Sequence, residues 1–564
     1  MKFSEFKYER IDIEKTKEEL NKILDKLEKE EDPDKFSKIY SELEKLENHI
    51  QTMATLSSIR HSIDTKDEFY KEENDFWDNS IPLLEECFNR ESKVLLAFKD
   101  KEKLYKYIPE VIFKQLELTS KTFSPEIIPL LQKENIYASK YGELKASAQL
   151  NVDGKTYNLS TISKLTTSLI EEERKKGYDA VYNFYSEHEN EFDDIYDNLV
   201  SVRTEIAHKL GFKDFVELAY CRMTRIDYDK KMVENYRKQI VDELVPLDQE
   251  LYAKQAKRIN KETLAYYNEN INFLSGNPKP KGNKDELVDK AVKMYHELSD
   301  ETGKFIDIMN EQELWDLDSK DGKQMGGYCT SIEEYGVPFI FANFNGSSHD
   351  VDVLTHEAGH AFQYYSARDI KPSAAKWPTM ESCEIHSMSM EFLTHPWMES
   401  FFKEDYEKYY YHHVASALKF LPYGALVDHF QHEIYEHPEM SKDERKATWR
   451  KLEKMYCPHK NYAGCEILEK GCYWYQQGHI FENPFYYIDY CLAQVCALQF
   501  FKKMSEDREN ALKDYMHLCK LGGTLSFLGL VKQANLKSPF EDGTVKEICD
   551  FAKKYLDSID DSKL

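Results

Sequence analysis

DVDVLTHEAGHAFQYY, residues 350 to 365, places His356 and His360 four positions apart with Glu357 between them. On a helix that spacing is one turn, so both imidazoles leave the same face with Cβ atoms about 5–6 Å apart. Two neutral imidazoles on one face suit a borderline-soft dication such as zinc. Glu357, beside the first of them, lies close enough to take a proton from a metal-activated water. The pattern points to metal-assisted hydrolysis. With 18 histidines in 564 residues it arises by chance in roughly a few per cent of such chains, and its surroundings argue further against chance.

Upstream, GVPFIFANFNGSSHDVDVL predicts an apolar strand over 337 to 344, a break at Asn345-Gly346, and a polar turn in which Asp350 or Asp352 caps the helix. A second run, GGYCTSI at 326 to 332, is placed to pair with it as a hairpin across 333 to 336, giving a small sheet. A strand just before a metal helix offers an edge to which an extended peptide can add by main-chain hydrogen bonds.

A third metal ligand must come from elsewhere. The position six residues after His360, where some zinc peptidases carry a third histidine, is Ser366. WPTMESCEIHSMSMEFL supplies carboxylates on a following helix that opens after Pro378. Glu381 falls in the first turn, where an acid commonly answers the helix dipole, whereas Glu384 stands a turn inside and is the preferred ligand. Glu391, one heptad on, faces the same way and is a candidate acceptor for a ligand histidine N–H.

THEAGHAFQ, ESCEIHSMSMEF and GHIFENPFYYIDYCLAQ together resemble the oligoendopeptidase F family of thimet oligopeptidase-like zinc metallopeptidases, in its bacterial Pz-peptidase-like members. The likeness extends to VDGKTYNLSTISKL at 152 to 165 and LKSPFEDGTVKEI at 536 to 548, and is strongest from about residue 320 onward. It implies one zinc ion per chain on His356, His360 and Glu384, with Glu357 as general base. It also implies that His479 and the tyrosine cluster of Tyr486, Tyr487 and Tyr490 stabilise the transition state. Here the spacing from His479 to the tyrosines is shorter than in the thimet enzymes. On spacing alone, packing is the better account of a tyrosine cluster in a chain with 38 tyrosines; the resemblance reverses that preference.

Acidic residues exceed basic ones by 26 and the sequence pI is near 5.3, which argues against a nucleic-acid partner. No run of about 18 apolar residues predicts a membrane span, and the N-terminal segment has no apolar signal core. Eleven cysteines without CxxC pairs predict reduced thiols and a cytoplasmic location rather than a disulfide framework. Cys383, beside Glu384, reads as packing, since no histidine-activated thiol pattern accompanies it.

Residues 11 to 141 carry Leu and Ile at three-to-four spacing, interrupted at Asp32-Pro33-Asp34, and read as antiparallel helices of an all-α lobe. ASAQLNVDGKTYNLST at 146 to 161 reads as a hairpin turning at Asp153-Gly154. Helices resume from 162 to 267, and LSGNPKPKGNKDE at 274 to 286 is the most loop-like segment before the metal motif. His429 and His432 tempt as a second metal pair, but no further ligand set at a suitable spacing follows. Cys457, His459, Cys465 and Cys472 are too irregularly spaced for a zinc cluster.

The expected fold is mainly α: two helical lobes, divided as 1–165 and 166–564, enclosing a deep catalytic cleft, with a small β-sheet beside the HExxH helix. The expected activity is endopeptidase cleavage of short peptides. A zinc aminopeptidase or carboxypeptidase and an inactive peptide-binding module are the alternatives, and a homo-oligomer is open.

Overall fold

The computed structural model describes residues 1–564. Twenty-four α-helices stand against five strands: β1 (Leu150–Val152), β2 (Lys155–Tyr157), β3 (Trp315–Asp318), β4 (Tyr328–Ile332) and β5 (Val337–Phe344). The fold is therefore mainly α, as the periodicity predicts. No helix is long and apolar enough to cross a membrane.

Contacts gather the chain into two compact units. One comprises Met1–Ser120, Lys279–Tyr406 and Cys496–Lys537; the other comprises Lys121–Pro278, Glu407–Val495 and Ser538–Leu564. This differs from the linear division at 165/166, because helices distant in sequence pack together in each unit. The passage at Pro278/Lys279 falls inside the Pro- and Gly-containing stretch that the sequence marks as loop.

In the first unit, α1 (Ile13–Leu27), α2 (Pro33–Ile63) and α3 (Glu68–Ala97) pack on one another through buried Leu20, Leu24, Phe36, Leu43 and Leu84. The interruption between α1 and α2 is a helix start. The Asp32 carboxylate accepts from the Asp34 and Lys35 amides at 3.0 and 2.9 Å, and Pro33 occupies the first turn, where its fixed φ suits the helix. Such a cap contributes about 1 kcal/mol.

The sheet of this unit has the order β3-β5-β4. β4 and β5 form the expected antiparallel hairpin, turning through Glu333–Tyr335 to Gly336 at φ 60°. The sequence reading missed β3, a four-residue parallel partner of β5 that alternates Trp-Asp-Leu-Asp and carries little apolar signal. Flanked on both sides, β5 is buried along 337 to 342, which explains its unbroken apolar run. Pro338, with no N–H to give, precedes Ile340, where pairing with β3 begins. β5 packs on α4 (His349–Ala367), and α4 packs on α5 (Met380–Leu393).

The second unit is built of helices and carries the β1–β2 hairpin, whose β2 is largely exposed. That hairpin turns at Asp153-Gly154, both at positive φ (49° and 78°), as a tight two-residue turn requires. Its other long elements include α6 (Tyr406–Glu436), nearly all of which it holds, and the opening of α7 (Tyr487–Glu506). α8 (Arg508–Leu521) returns to the first unit and packs against α4.

Candidate metal centre

The strand-to-helix turn before α4 is closed differently from the sequence expectation. Ser348 is the N-cap and makes no side-chain cap bond. Asp350 instead turns back, and its two oxygens accept from the Asn345 and Gly346 amides at 2.9 and 2.7 Å. Asp352 lies in the first turn. Asp350 thus ties the helix to the end of β5, with Gly346 supplying the left-handed residue at φ 81°.

One turn apart on α4, His356 and His360 present their rings with centroids 5.1 Å apart. Glu384 Oε2 of α5 lies 3.4 Å from His356 Nε2 and 3.6 Å from His360 Nε2. The ligand-type atoms of these three residues all lie within 4.8 Å of one another, so they could hold a metal ion. Glu357 sits between the two histidines and is half-buried. Glu381 is also buried, in the first turn of α5, but does not belong to this group.

Electrostatics binds the trio. Burial alone would lower the His356 pKa, but the carboxylates of Glu384 and Glu391 outweigh it and hold the imidazole well above its ordinary value. Burial likewise raises Glu384, and the hydrogen bonds and charges of His356 and His360 overcome that and hold the carboxyl below its ordinary range. Glu391 Oε1 stands 2.6 Å from His356 Nδ1. Glu391 is thus an acceptor for a proton on Nδ1, and the contact orients the ring.

Several supporting residues escaped the sequence reading. Ser387 Oγ donates to Glu384 Oε2 at 2.9 Å and so orients the carboxylate; its place three residues on, on the same helix face, was the available signal. Gly359, inside the motif, is where the helices touch: a Cβ there would lie 2.7 Å from both His386 O and Ser387 Cα. Both are backbone atoms, so any side chain would push α5, and Glu384 with it, away from the histidines. Buried His386 has its pKa pushed down to about 4 by burial; its Nδ1 lies 2.8 Å from Ser382 O, and its carbonyl accepts from Tyr515 Oη of α8 at 2.8 Å. Burial foremost pushes the Cys383 thiol well up, which leaves it a poor nucleophile and fits its reading as packing.

The remaining predicted residues lie together in the second unit. His479 is on a short helix, Gly478–Glu482; Tyr487 and Tyr490 are on α7, while Tyr486 precedes it. Ring centroids of His479 lie 4.9, 5.8 and 5.9 Å from those of Tyr487, Tyr486 and Tyr490. Gln477 Nε2 lies 2.9 Å from His479 Nδ1. Burial, and then the nearby Lys145 charge, lower the His479 pKa; burial raises that of Tyr487, keeping its hydroxyl a donor. His429 and His432 serve other ends, with His429 Nδ1 3.0 Å from Tyr456 Oη and His432 Nε2 3.2 Å from Tyr220 Oη. All eleven cysteines are unbridged.

Comparison with known proteins places this geometry in context. A model of the peptidase M3 N-terminal domain matches residues 3–123, and one of peptidase family M3 matches residues 165–549. A solved structure of PZ peptidase A with an inhibitor shares 47% identity at a TM-score of 0.92, with 100% of each chain covered. An oligoendopeptidase F of Bacillus anthracis shares 46% identity at a TM-score of 0.88, covering 100% of this chain and 99% of that one. An oligoendopeptidase F homolog of Borreliella burgdorferi is 23% identical over 380 residues, a match spanning 64% of this chain and 62% of the relative.

Proposed function

This chain belongs to peptidase family M3, and from that premise we propose that it is a zinc-dependent endopeptidase acting on short oligopeptides. One observation carries the reading: two imidazoles and a carboxylate converge from two helices whose backbones touch at Gly359, with Glu357 between the two imidazoles. Ligands about 2.1 Å from a tetrahedral ion stand roughly 3.4 Å from one another. The 3.4 and 3.6 Å separations between Glu384 Oε2 and the two Nε2 atoms fit that edge, and the N,N,O donor set suits zinc and leaves a fourth position.

When bound, zinc supplies a Lewis acid that polarises the scissile carbonyl and brings the pKa of water toward about 7. The protein's part is proton handling and orientation. Glu357 takes the proton of the attacking water and passes it to the leaving amine. Glu391 holds the His356 proton at Nδ1, so that Nε2 keeps its lone pair for the metal. Ser387 steadies Glu384. His479, Tyr487 and Tyr490 donate hydrogen bonds to the oxyanion that forms on attack. The eleven unbridged thiols support a reducing compartment, the cytoplasm.

Mass spectrometry of products from a peptide pool that includes members blocked at both termini, with and without a chelator, tests this reading. Internal cleavage of the doubly blocked peptides that stops on chelation and returns with zinc is the expected result. Cleavage confined to peptides with free ends would replace the endopeptidase with an exopeptidase, and chelator-insensitive cleavage would remove the metal.

A further inference from the structure

Two elements of the second unit carry groups assigned to the reaction: the short helix Gly478–Glu482 bears His479, and α7 opens with Tyr487 and Tyr490. Asn483 to Tyr486 join them, and the chain turns at Phe485, whose φ is 68°. That is the left-handed region, which suits glycine and is costly for a bulky side chain, so Phe485 keeps it only because its surroundings impose it. The direction in which α7 leaves the turn, and with it the meeting of His479 with the tyrosines, depends on that residue.

Both backbone groups of Phe485 are held by buried side chains. Arg225 Nη2 donates to its carbonyl at 2.5 Å, and its amide donates to Gln431 Oε1 of α6 at 2.9 Å. Gln431 Nε2 donates in turn to Val427 O at 3.1 Å, which fixes the way its side chain faces. The Phe485 ring packs edge-on against His432, with centroids 5.1 Å apart, and at a tilt against Tyr435, at 5.8 Å. Arg225 Nη2 also donates to Asp489 Oδ1 at 3.0 Å, and Asp489 stands in the first turn of α7, between Tyr487 and Tyr490. One guanidinium nitrogen thus ties the turn at Phe485 to the helix that follows it.

Arg225 is itself held. Its side chain is fully buried, and its guanidinium lies over the Tyr220 ring, 4.3 Å from the centroid. A buried ion pair is often no more stabilising than apolar residues of the same volume, so stability alone does not account for Arg225 and Asp489. An aliphatic pair could fill the space, but it could not hold a carbonyl and a helix at a set separation.

We infer that Arg225 is a positioning residue for the tyrosine hydroxyls of α7, acting through the Phe485 carbonyl and Asp489, with Gln431 as its counterpart on the Phe485 amide. The inference rests on the reading that Tyr487 or Tyr490 serves the oxyanion, and it names what places that hydroxyl.

The test is a double-mutant cycle on kcat, with the full chain and a quenched peptide. Arg225→Met is expected to lower kcat at least about tenfold with KM and zinc content unchanged, a loss bounded by the roughly 10²–10³ that an oxyanion donor contributes. In the Tyr487→Phe, Tyr490→Phe background, where no hydroxyl remains to be placed, the same substitution is expected to cost less than about twofold. Arg225→Lys, which keeps the charge opposite Asp489 and a donor, is expected to retain part of the kcat that Arg225→Met loses. Should Arg225→Met not fold, because it removes the cation beside buried Asp489, Gln431→Met goes through the same cycle: it leaves the ion pair in place and removes only the acceptor for the Phe485 amide. A loss of the same size with and without the tyrosine hydroxyls overturns the inference. So does wild-type kcat in Arg225→Met or, where that variant does not fold, in Gln431→Met. Wild-type kcat in the Tyr487→Phe, Tyr490→Phe protein strikes the tyrosine reading, and the inference with it.

Discussion

The metal cradle of the first unit and the aromatic group of the second hold their side chains by different means. In the cradle, backbone meets backbone at Gly359 and two of the three proposed ligands are braced by a polar neighbour: Glu391 for His356, Ser387 for Glu384. Around His479 the rings of Tyr486, Tyr487 and Tyr490 support one another mainly by packing, at centroid distances of 4.9 to 5.9 Å. The first arrangement holds its atoms through polar contacts between two helices; the second holds ring planes against one another. Damage to the cradle should therefore register in metal content, and damage to the ring group in turnover alone.

The sharpest break is expected at Glu357, which belongs to the cradle by position and not by ligation. Glu357→Gln should keep zinc at the wild-type ratio while kcat on a quenched peptide falls by about 10²–10⁴, the usual contribution of a positioned general base. Zinc lost in step with activity would make Glu357 part of the metal's support. Unchanged turnover would remove it from the mechanism.

The cradle was legible because its logic is local. His356, Glu357 and His360 declare themselves within five residues, and Glu384 and Glu391 follow on one helix at heptad spacing. The hairpin of β4 and β5 was equally local, since apolar alternation and a turn sufficed. What escaped depends on distant chain. β3 is recognisable only by pairing with β5, and Asp350 could cap a helix or close a turn on sequence grounds alike. The tyrosines fall between these cases: three-to-four spacing puts Tyr487 and Tyr490 on one face, but only the folded chain brings His479 to them.

On the aromatic side, Tyr490→Phe and Tyr487→Phe each delete a single oxygen and leave the packing intact. Loss of an oxyanion donor costs about 10²–10³ in kcat, or roughly 3–4 kcal/mol of transition-state stabilisation. At least one of the two should show that drop with KM and zinc content unchanged. If both retain wild-type kcat, these rings only pack, and the contrast between a structural cradle and a working ring group fails.

The smallest effect is expected at Glu391, which tests how far bracing matters within the cradle. Its carboxylate accepts the His356 Nδ1 proton at 2.6 Å, so it sets both the ring plane and the tautomer that leaves Nε2 free for the metal. Loss of such a partner typically weakens metal binding about 10- to 100-fold, or roughly 1.4–2.7 kcal/mol. Glu391→Gln keeps an oxygen able to accept the proton and removes only the charge, so it should sit at the lower end of that range. Glu391→Ala removes the acceptor as well and should reach the upper end, with a faster release of zinc to a competing chelator. Both variants, resaturated with zinc, should regain most of their kcat, because the partner acts on the ligand and not on the substrate. If either binds zinc as tightly as the wild type, packing of α4 on α5 at Gly359 is enough to hold His356. If activity stays low at full zinc occupancy, Glu391 acts on the reaction itself.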